Sequence, residues 1–597
     1  MFQSFDATTT PDQGPPRLQA LRAEMAQAGF DAFLVPRADA HQGEYVAPRD
    51  DRLAWLTGFT GSAGFAAILT DIAGVFVDGR YRTQVKAQVA SEFTPVDWPD
   101  IALGDWLAEH LSGGGKVAFD PWLHTAGEVE ALRKRHKETG VQFVETDNLV
   151  DRIWPDQPGR PSAPARKYPI ENAGKGDETK RAEIAEALRK AGHKAAILTL
   201  PDSICWLLNI RGADIQRIPI VQAFAIFHDN GKMQLFSDPA KFTGLGPDPD
   251  IEIARWEEFE AALKQLNGPV RVDKGSAPYA ITGILQQADI EIAYEQDPCI
   301  LPKAIKNDTE IAGTTEAHLR DAAAMVEFLC WLEDEAPKGN LTEIDVVQKL
   351  EGFRRATNAL QDISFDTICG AGPNGAIMHY RVNTETSRPL NSGELVVIDS
   401  GGQYLDGTTD ITRTIVVGAP DAEQRACFTR VLKGMIAISH VRWPVGLAGR
   451  DLDPLARYHL WRAGQDFNHG TGHGVGCFLS VHEGPQRISR ASEVPLQSGM
   501  ILSNEPGYYR EGAFGIRIEN LVVVREAPDL PGADDRKMLA FDTLTWVPID
   551  LSLVDPDLLD QEERDWLNKY HAQVLAMIGP RVSEAARAWL ETACRSI

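Results

Sequence analysis

Residues 393–418 read GELVVIDSGGQYLDGTTDITRTIVVG, and this stretch indicates the fold class of the second half of the chain. An apolar run ends at Asp399, a turn rich in glycine, aspartate and threonine follows, and a second, alternating run starts near Asp410. The pattern predicts two antiparallel strands whose turn can bring both carboxylates to neighbouring positions on one face. Like charges so placed oppose each other unless a cation or a proton intervenes.

The sequence around this hairpin predicts an α+β arrangement from about residue 306 onward. Two helical patterns come first, one ending in MVEFLCWLEDE and one over EIDVVQKLEGF. Asn307 or Asp308 can cap the first helix, and Thr342 with Asp345 resembles a capping box for the second. Many strands with turn signals follow, which is typical of α+β rather than of alternating βαβ units.

An internal repeat predicts two related α/β domains ahead of this segment. LRAEMAQAGFDAFLV (residues 21–35) aligns with IAEALRKAGHKAAIL (residues 184–198), each an amphipathic helix, a glycine and an apolar strand. Chance similarity of a generic α/β unit is the alternative. The proline-rich stretch PDQPGRPSAPARKYP, residues 155–169, is the clearest predicted linker. The predicted domains are therefore residues 1–157, 158–305 and 306–597.

Composition narrows the class of protein. The 597 residues carry 85 acidic and 60 basic side chains, a formal charge of -25, which disfavours nucleic acid and anionic membrane surfaces as partners. Seven scattered cysteines without a C-x-x-C pair indicate neither a disulfide framework nor a thiolate zinc site. With neither a signal-peptide pattern nor a long apolar run, the sequence predicts a soluble, cytoplasmic protein.

The segment NHGTGHGVGCFLSVHEGP, residues 468–485, holds three of the 14 histidines: His469, His473 and His482. Glycines allow close approach of backbone and ligand, and neutral imidazole is a common ligand of transition metals. The stretch GTGHGVG could be mistaken for a phosphate-binding turn. It follows no clear strand and opens no amphipathic helix, which argues against dinucleotide binding.

Two glutamates occur in apolar surroundings further along the chain. GMILSNEPGYY, residues 499–509, predicts a strand running into Glu505, and FGIRIENLVVV, residues 514–524, places Glu519 amid an apolar strand. The alternative for the second segment is a surface strand on which Arg517 and Glu519 pair on the wet face, since residues two apart point the same way.

Taken together, these carboxylates and one histidine require cations. Two negative charges about 4 Å apart repel by roughly 4 kcal/mol at an effective dielectric near 20, and two divalent ions would neutralise four carboxylates. Oxygen ligands with a single imidazole favour manganese, with cobalt, iron or zinc as further candidates. A pair of ions also lowers the pKa of a water between them and polarises the bond under attack, which suits amide hydrolysis.

At this point the sequence resembles the pita-bread metallopeptidases, and within them the three-domain cytosolic Xaa-Pro aminopeptidases (the aminopeptidase P family). The resemblance covers nearly the whole chain. Its most specific stretches are GPNGAIMHY (372–380), VVIDSGGQYLDGTTDITRT (396–414), HGTGHGVGCFLSVHEGP (469–485) and NEPGYYREGAFGIRIEN (504–520), with DTLTWVPID and DWLNKYH in support.

The resemblance implies a site, a fold and an assembly. The ligands of the two ions would be Asp399, Asp410, His473, Glu505 and Glu519, with Asp410 and Glu519 bridging. Glu505 would accept the proton of the attacking water, His379 and His482 would hold the substrate and stabilise the oxyanion, and His469, Tyr509 and Arg517 would line the proline pocket. Plain hydrogen bonding for His482 and core packing for Tyr509 are the alternatives. Two creatinase-like α/β domains, a pita-bread α+β catalytic domain and a homodimer are also implied.

Rival functions remain open at this stage. X-Pro dipeptidase of the same fold would carry the same five ligands, although two leading domains resemble the aminopeptidase better. Some 300 residues ahead of the catalytic segment argue against methionine aminopeptidase, and creatinase-like enzymes lack the full ligand set. Non-catalytic binding modules of this fold, such as histone chaperones, typically lose the ligands. The substrates expected are peptides with a free N-terminus and proline second.

Overall fold

The computed structural model describes residues 1–597 as a protein of two compact units. The N-terminal unit is Thr8–Lys303, and the C-terminal unit combines Met1–Ala7 with Ala304–Ile597. All seven cysteines are free thiols. None of the helices is both long and apolar enough to cross a bilayer.

The N-terminal unit holds two six-stranded sheets with helices packed against them. Its helices are α1 Gly14–Ala28, α2 Arg52–Thr57, α3 Arg82–Gln88, α4 Leu103–His110, α5 Ala126–Arg135, α6 Leu149–Ile153, α7 Ile170–Ala173, α8 Asp177–Ala191, α9 Pro201–Leu207, α10 Phe259–Leu263 and α11 Tyr279–Gln287, and α12 Ile300–Ala304 contains the division between the units. Its strands are β1 Ala32–Pro36, β2 Phe65–Leu69, β3 Ala73–Val77, β4 Thr94–Asp97, β5 Gly115–Phe119, β6 Val141–Glu145, β7 Arg166–Lys167, β8 Ala195–Leu198, β9 Ile210–Arg211, β10 Phe224–His228, β11 Met233–Phe236, β12 Ile251–Ala254, β13 Val270–Val272 and β14 Ile292–Tyr294.

The two sheets share one topology, which confirms the predicted repeat. Their strand orders are β4-β3-β2-β1-β5-β6 and β12-β11-β10-β8-β13-β14, with antiparallel and parallel pairings in the same sequence. The matched glycines Gly29 and Gly192 end α1 and α8 at φ values of 70° and 79°, a left-handed conformation that glycine adopts without a steric penalty. The predicted linker is shorter than expected, because its residues Arg166–Lys167 form β7 and pair with β9.

The first seven residues pack with the C-terminal unit. The buried Gln3 amide accepts from Thr367 N–H at 2.8 Å and donates to Thr367 O at 3.3 Å. Thr384 N–H donates to Phe5 O at 2.9 Å. The boundaries 1–157, 158–305 and 306–597 stay predictions, and the structure adds a short N-terminal segment to the C-terminal unit.

The C-terminal unit is an α+β structure. Its helices are α13 Asp308–Glu335, α14 Glu343–Ala356, α15 Ala422–His440, α16 Gly449–Trp461, α17 Gln561–Ile578 and α18 Glu584–Ala593. Its strands are β15 Leu360–Ile363, β16 Ile368–Ala371, β17 Leu395–Ser400, β18 Gly402–Tyr404, β19 Gly407–Thr408, β20 Ile411–Val416, β21 Trp443–Pro444, β22 Gly472–Gly474, β23 Glu483–Ile488, β24 Ile501–Asn504, β25 Gly507–Arg510, β26 Phe514–Arg517, β27 Asn520–Glu526 and β28 Met538–Thr543.

Two sheets of this unit carry the candidate site. A three-stranded sheet has the order β16-β17-β20, and a six-stranded sheet has the order β21-β28-β27-β24-β22-β23. One large apolar core joins the three-stranded sheet to helices α13, α14, α15, α17 and α18. Asn307 caps α13, and Thr342 with Asp345 forms the capping box of α14, so both predicted helix starts are confirmed.

Candidate metal centre

The predicted aspartate hairpin is confirmed with one elaboration. Strands β17 and β20 pair antiparallel with Asp399 opposite Thr412, and Asp410 directly precedes β20. The connecting turn folds into a small hairpin of its own, β18 with β19. Asp399 and Asp410 are only 7% and 3% exposed, so both carboxylates point into the protein rather than into water.

His473 lies in β22 and turns its ring toward the carboxylates. Its Nδ1 is 2.9 Å from Gly474 O, which favours a proton on Nδ1 and leaves Nε2 as the ligand atom. That Nε2 lies 3.6 Å from Asp410 Oδ2 and 3.4 Å from Glu505 Oε1. The adjacent Gly472 allows this close packing, because a Cβ there would lie 1.9 Å from Ser503 O.

Glu519 does not lie within a strand, contrary to the prediction from its apolar neighbours. It occupies the break between β26 and β27, where its N–H donates to Thr412 O at 3.1 Å. The alternative of an exposed Arg517–Glu519 pair is wrong. Arg517 and Glu519 are 2% and 1% exposed, and the guanidinium instead donates to Asp399 Oδ2 at 2.6 Å.

The five predicted ligands form one cluster together with His482. Potential ligand atoms lie within 4.8 Å of one another in three overlapping groups: Asp410, His473 and His482; His473, Glu505 and Glu519; and Asp399, Asp410 and Glu519. Three carboxylate oxygens in this cluster, Asp399 Oδ1, Asp410 Oδ1 and Glu519 Oε1, are buried and have no hydrogen-bond partner. Buried anionic oxygens left unpaired are costly, so the residues present fit a site for cations.

The charge of the cluster is visible in its pKa values. Burial, followed by the neighbouring Glu519 and Asp399 carboxylates, raises the pKa of Asp410 well above its ordinary value. Burial and the carboxylates of Glu505 and Asp399 do the same to the pKa of Glu519. Burial raises the pKa of Glu505 to about 7, although Arg517 opposes the shift. Without positive ions the cluster therefore holds protons into the neutral range.

We predict that a divalent metal stabilises the protein more at pH 8 than at pH 5. The folded-state pKa values of these carboxyls exceed the unfolded ones, so their stabilising protonation is complete below about pH 4 and is lost as the pH rises through the folded pKa. For Glu505 alone the loss is on the order of 3 kcal/mol. Thermal unfolding of chelated and metal-loaded protein at both pH values measures the difference; an equal gain at both would contradict the prediction.

A second group of side chains extends from this cluster. His469 Nε2 lies 2.9 Å from Tyr509 OH, Arg517 Nη1 donates to the same hydroxyl at 2.6 Å, and Arg517 Nη2 reaches Asp399. Burial raises the pKa of Tyr509 to about 12, so its hydroxyl stays neutral. The three residues predicted to line a proline pocket are thus joined to each other and to Asp399.

The remaining two predicted residues are placed differently. The His482 ring lies 4.4 Å from the His473 ring between centroids and nearly perpendicular to it, at 79°. His379 lies half-buried in the turn after the short helix Gly372–Ala376. The structure therefore groups His482 with the carboxylate cluster, whereas contact between His379 and that cluster stays a prediction.

Comparisons with known proteins match almost the whole chain. A model of the creatinase/prolidase N-terminal domain matches residues 17–153, a second creatinase/prolidase N-terminal model matches 156–310, metallopeptidase family M24 matches 312–526, and the C-terminal region of peptidase M24 matches 537–597. Aminopeptidase P2 of Arabidopsis thaliana is 38% identical over 94% of this chain and 85% of that protein. This chain belongs to metallopeptidase family M24.

Other M24 relatives agree over similar lengths. A protein named probable Xaa-Pro aminopeptidase P from Coccidioides posadasii is 38% identical over 96% of this chain and 91% of its own length. The crystal structure of X-prolyl aminopeptidase from Caenorhabditis elegans, described as a cytosolic enzyme with a di-nuclear active site, is similar with a TM-score of 0.92. The two chains are 35% identical, and the match covers 98% of this chain and 99% of the nematode chain. The predicted creatinase-like domains and pita-bread domain are thereby confirmed.

The structure also shows residues bonded to the proposed ligands that the sequence did not reveal. Thr412 donates from Oγ1 to Glu519 Oε2 at 2.7 Å, and Ser503 Oγ accepts from His473 N–H and donates to Glu505 Oε1 at 3.1 Å. Each lies two residues from a ligand, a spacing that places side chains on the same face of a strand and could have indicated them.

Helix α16 supports the histidine loop from outside the cluster. Arg457 Nη2 donates to His469 O at 2.6 Å, and Thr471 Oγ1 donates to Asp453 Oδ1 at 2.7 Å. Arg457 and Asp453 also pair with each other and are buried. Nothing in the local sequence of α16 points to this role.

Proposed function

We propose that this M24 metallopeptidase releases the N-terminal residue from peptides whose second residue is proline. The observation that carries the proposal is similarity over almost the full chain, including both creatinase-like domains, to proteins named Xaa-Pro aminopeptidase. An X-Pro dipeptidase would use the same ligands, but the two-domain N-terminal half distinguishes this chain. The complete carboxylate and histidine cluster supports an enzyme rather than a binding module.

The cluster would hold two divalent metal ions, in line with the di-nuclear site of the nematode relative. We assign the ligands as Asp399, Asp410, His473, Glu505 and Glu519, with Asp410 and Glu519 shared between the ions. Each of these two carboxylates belongs to two of the three ligand groups. Manganese suits this donor set best, and cobalt, zinc or iron also fit. When bound, such ions acidify water and polarise the scissile carbonyl.

The protein side chains then handle protons and charge. Glu505 accepts the proton of the attacking water, because Ser503 donates to its Oε1 and that oxygen lies beside His473 in the cluster. His482 stands next to His473 and would stabilise the developing oxyanion. His379 is assigned a parallel role in holding the substrate.

Proline selectivity is assigned to His469, Tyr509 and Arg517. The aromatic and imidazole faces suit a rigid apolar ring, and the hydrogen bonds through Tyr509 OH fix both rings relative to Asp399. Arg517 is assigned to the same pocket, and its ion pair with Asp399 neutralises part of the carboxylate charge.

The setting of the enzyme follows the same reasoning. The substrates are peptides with a free N-terminus and proline second, and the charge of -25 disfavours nucleic acid and anionic membranes. We propose a cytoplasmic location and a homodimer, as the Xaa-Pro aminopeptidase resemblance implies.

A peptide panel paired with elemental analysis tests this function. Purified protein should contain about two divalent ions per chain and cleave X-Pro-Y tripeptides in preference to matched X-Ala-Y tripeptides and X-Pro dipeptides. Cleavage of X-Pro dipeptides alone would replace the aminopeptidase by a dipeptidase. Metal-loaded protein that cleaves none of the three would overturn the enzymatic assignment.

A further inference from the structure

Arg413 is a buried cation that has no carboxylate oxygen among its hydrogen-bond partners. It is 2% exposed, and all five of its N–H donors are used. Nε donates to Pro548 O at 3.0 Å; Nη1 to Thr412 O at 2.9 Å and Glu519 O at 2.6 Å; Nη2 to Asn520 Oδ1 at 2.8 Å, Val547 O at 2.7 Å and Tyr570 OH at 3.0 Å.

A buried guanidinium without a carboxylate partner is an expensive feature. Burial costs the ion its hydration, and its hydrogen bonds go to neutral groups, with the charge of Glu519 acting on it only through space. Arg517, another buried arginine of this region, does have a carboxylate partner in Asp399. An apolar side chain would fill the place of Arg413 at lower cost, so a positional function is the simplest reason for this residue.

The partners of Arg413 come from two separate parts of the chain. Thr412 and Glu519 belong to the metal centre, and they bond each other through side chain and backbone. Val547, Pro548 and Tyr570 belong to residues 537–597, the segment matched by the separate M24 C-terminal model. Arg413 therefore ties the backbone of a ligand to the C-terminal segment.

Further bonds strengthen the same connection. Tyr570 OH also donates to Val547 O at 2.8 Å and accepts from Asn520 Nδ2 at 3.2 Å. Thr545 Oγ1 accepts from Leu521 N–H at 2.9 Å. Residues 519–521, the ligand and its two successors, are thus each bonded to Arg413 or to the C-terminal segment. We call Arg413, Thr545 and Tyr570 the C-terminal clamp.

We propose that the C-terminal clamp consists of positioning residues that fix Glu519 between the two metal sites and thereby set the affinity for the second ion. The inference rests on the assignment of Glu519 as a shared ligand in the proposed function. Residues 537–597 would then contribute to metal binding, although none of them is a proposed ligand.

The test is stepwise metal titration of metal-free protein carrying Tyr570→Phe, which removes one hydroxyl and keeps the ring. We expect the affinity for the weaker-binding ion to fall about 10-fold or more by calorimetry, as happens when groups behind metal ligands are removed. At limiting metal concentration, kcat should fall as that affinity falls, and excess metal should restore it. KM for an X-Pro-Y peptide should change little.

Tyr81→Phe is the matched control. Tyr81 is fully buried in the N-terminal unit, and its hydroxyl lies 2.7 Å from Ser62 Oγ instead of bonding the clamp. Both variants should lower the unfolding temperature, but only Tyr570→Phe should weaken metal binding. Thr545→Val, which removes the acceptor for Leu521 N–H, provides a second and milder clamp variant should Tyr570→Phe fail to fold.

Unchanged stepwise affinities in a folded clamp variant would overturn the inference and leave a purely structural role. This outcome differs from a failure of the proposed function. Wild-type protein that binds two ions but cleaves no X-Pro-Y peptide would remove the aminopeptidase assignment, and the titration would still decide whether the clamp sets metal affinity.

Discussion

Substitution of His473 by alanine should remove bound metal and reduce peptide cleavage by at least about 100-fold. His473 supplies Nε2 at 3.6 Å from Asp410 and 3.4 Å from Glu505, so it closes the cluster on the side where β22 meets the carboxylates. Alanine would remove that nitrogen from the donor set, so the ions would lose one of their ligands and bind more weakly. Elemental analysis and steady-state rates on an X-Pro-Y peptide measure both effects.

His440→Ala is the control for this experiment. His440 ends α15 with 59% of its side chain exposed and has an ion-pair contact only with Glu562 on the surface. Loss of an exposed histidine should change neither metal content nor rate beyond a small factor. Normal metal content and activity in His473→Ala would remove this histidine from the site.

Much of the candidate metal centre could be predicted because its proposed ligands lie where strands end. Asp399 is the residue before the last one of β17, next to the turn, and Glu505 directly follows β24. A charged residue at the end of an apolar run is unusual in local sequence, and several such ends within one segment indicate a shared site. The internal repeat was equally readable, since Gly29 and Gly192 each end a helix in a left-handed conformation.

Glu519 shows where local patterns fail. Apolar letters on both sides predicted one continuous strand, yet the chain breaks there so that Glu519 can bond Thr412 through both backbone and side chain. The break depends on Thr412, which lies more than 100 positions away in the sequence. The hydrophobic periodicity around Glu519 carries no information about so distant a residue. A tertiary contact thus overrides the strand pattern at a predicted ligand.

The grouping of Met1–Ala7 with the C-terminal unit has the same origin. These residues show no helix or strand pattern, and their placement depends on Gln3 exchanging two hydrogen bonds with Thr367. The hydrogen bond from Arg457 to His469 O was not predictable from local sequence either. An arginine in a helical pattern is normally predicted to be a solvated side chain. Local sequence indicated which residues are special, and packing decided what holds them.

Glu505→Gln should lower kcat by roughly 100-fold to 10,000-fold while the protein keeps at least part of its metal. Glutamine has the same shape and retains one oxygen for coordination, but its amide cannot take up a proton from water. Ser503 holds Oε1 of Glu505 at 3.1 Å, so the substituted side chain should stay in place. Metal content, kcat and KM measured together separate loss of the base from loss of the ions.

Glu493→Gln removes the same charge from a side chain that is 82% exposed and should leave kcat unchanged. Near-normal turnover in metal-loaded Glu505→Gln would refute the assignment of Glu505 as base. A low rate restored by added metal would instead make Glu505 mainly a ligand. A low kcat at full metal occupancy, with KM little changed, is the result expected for a proton acceptor, because ground-state binding would then be intact and only the transition state would lose stabilisation.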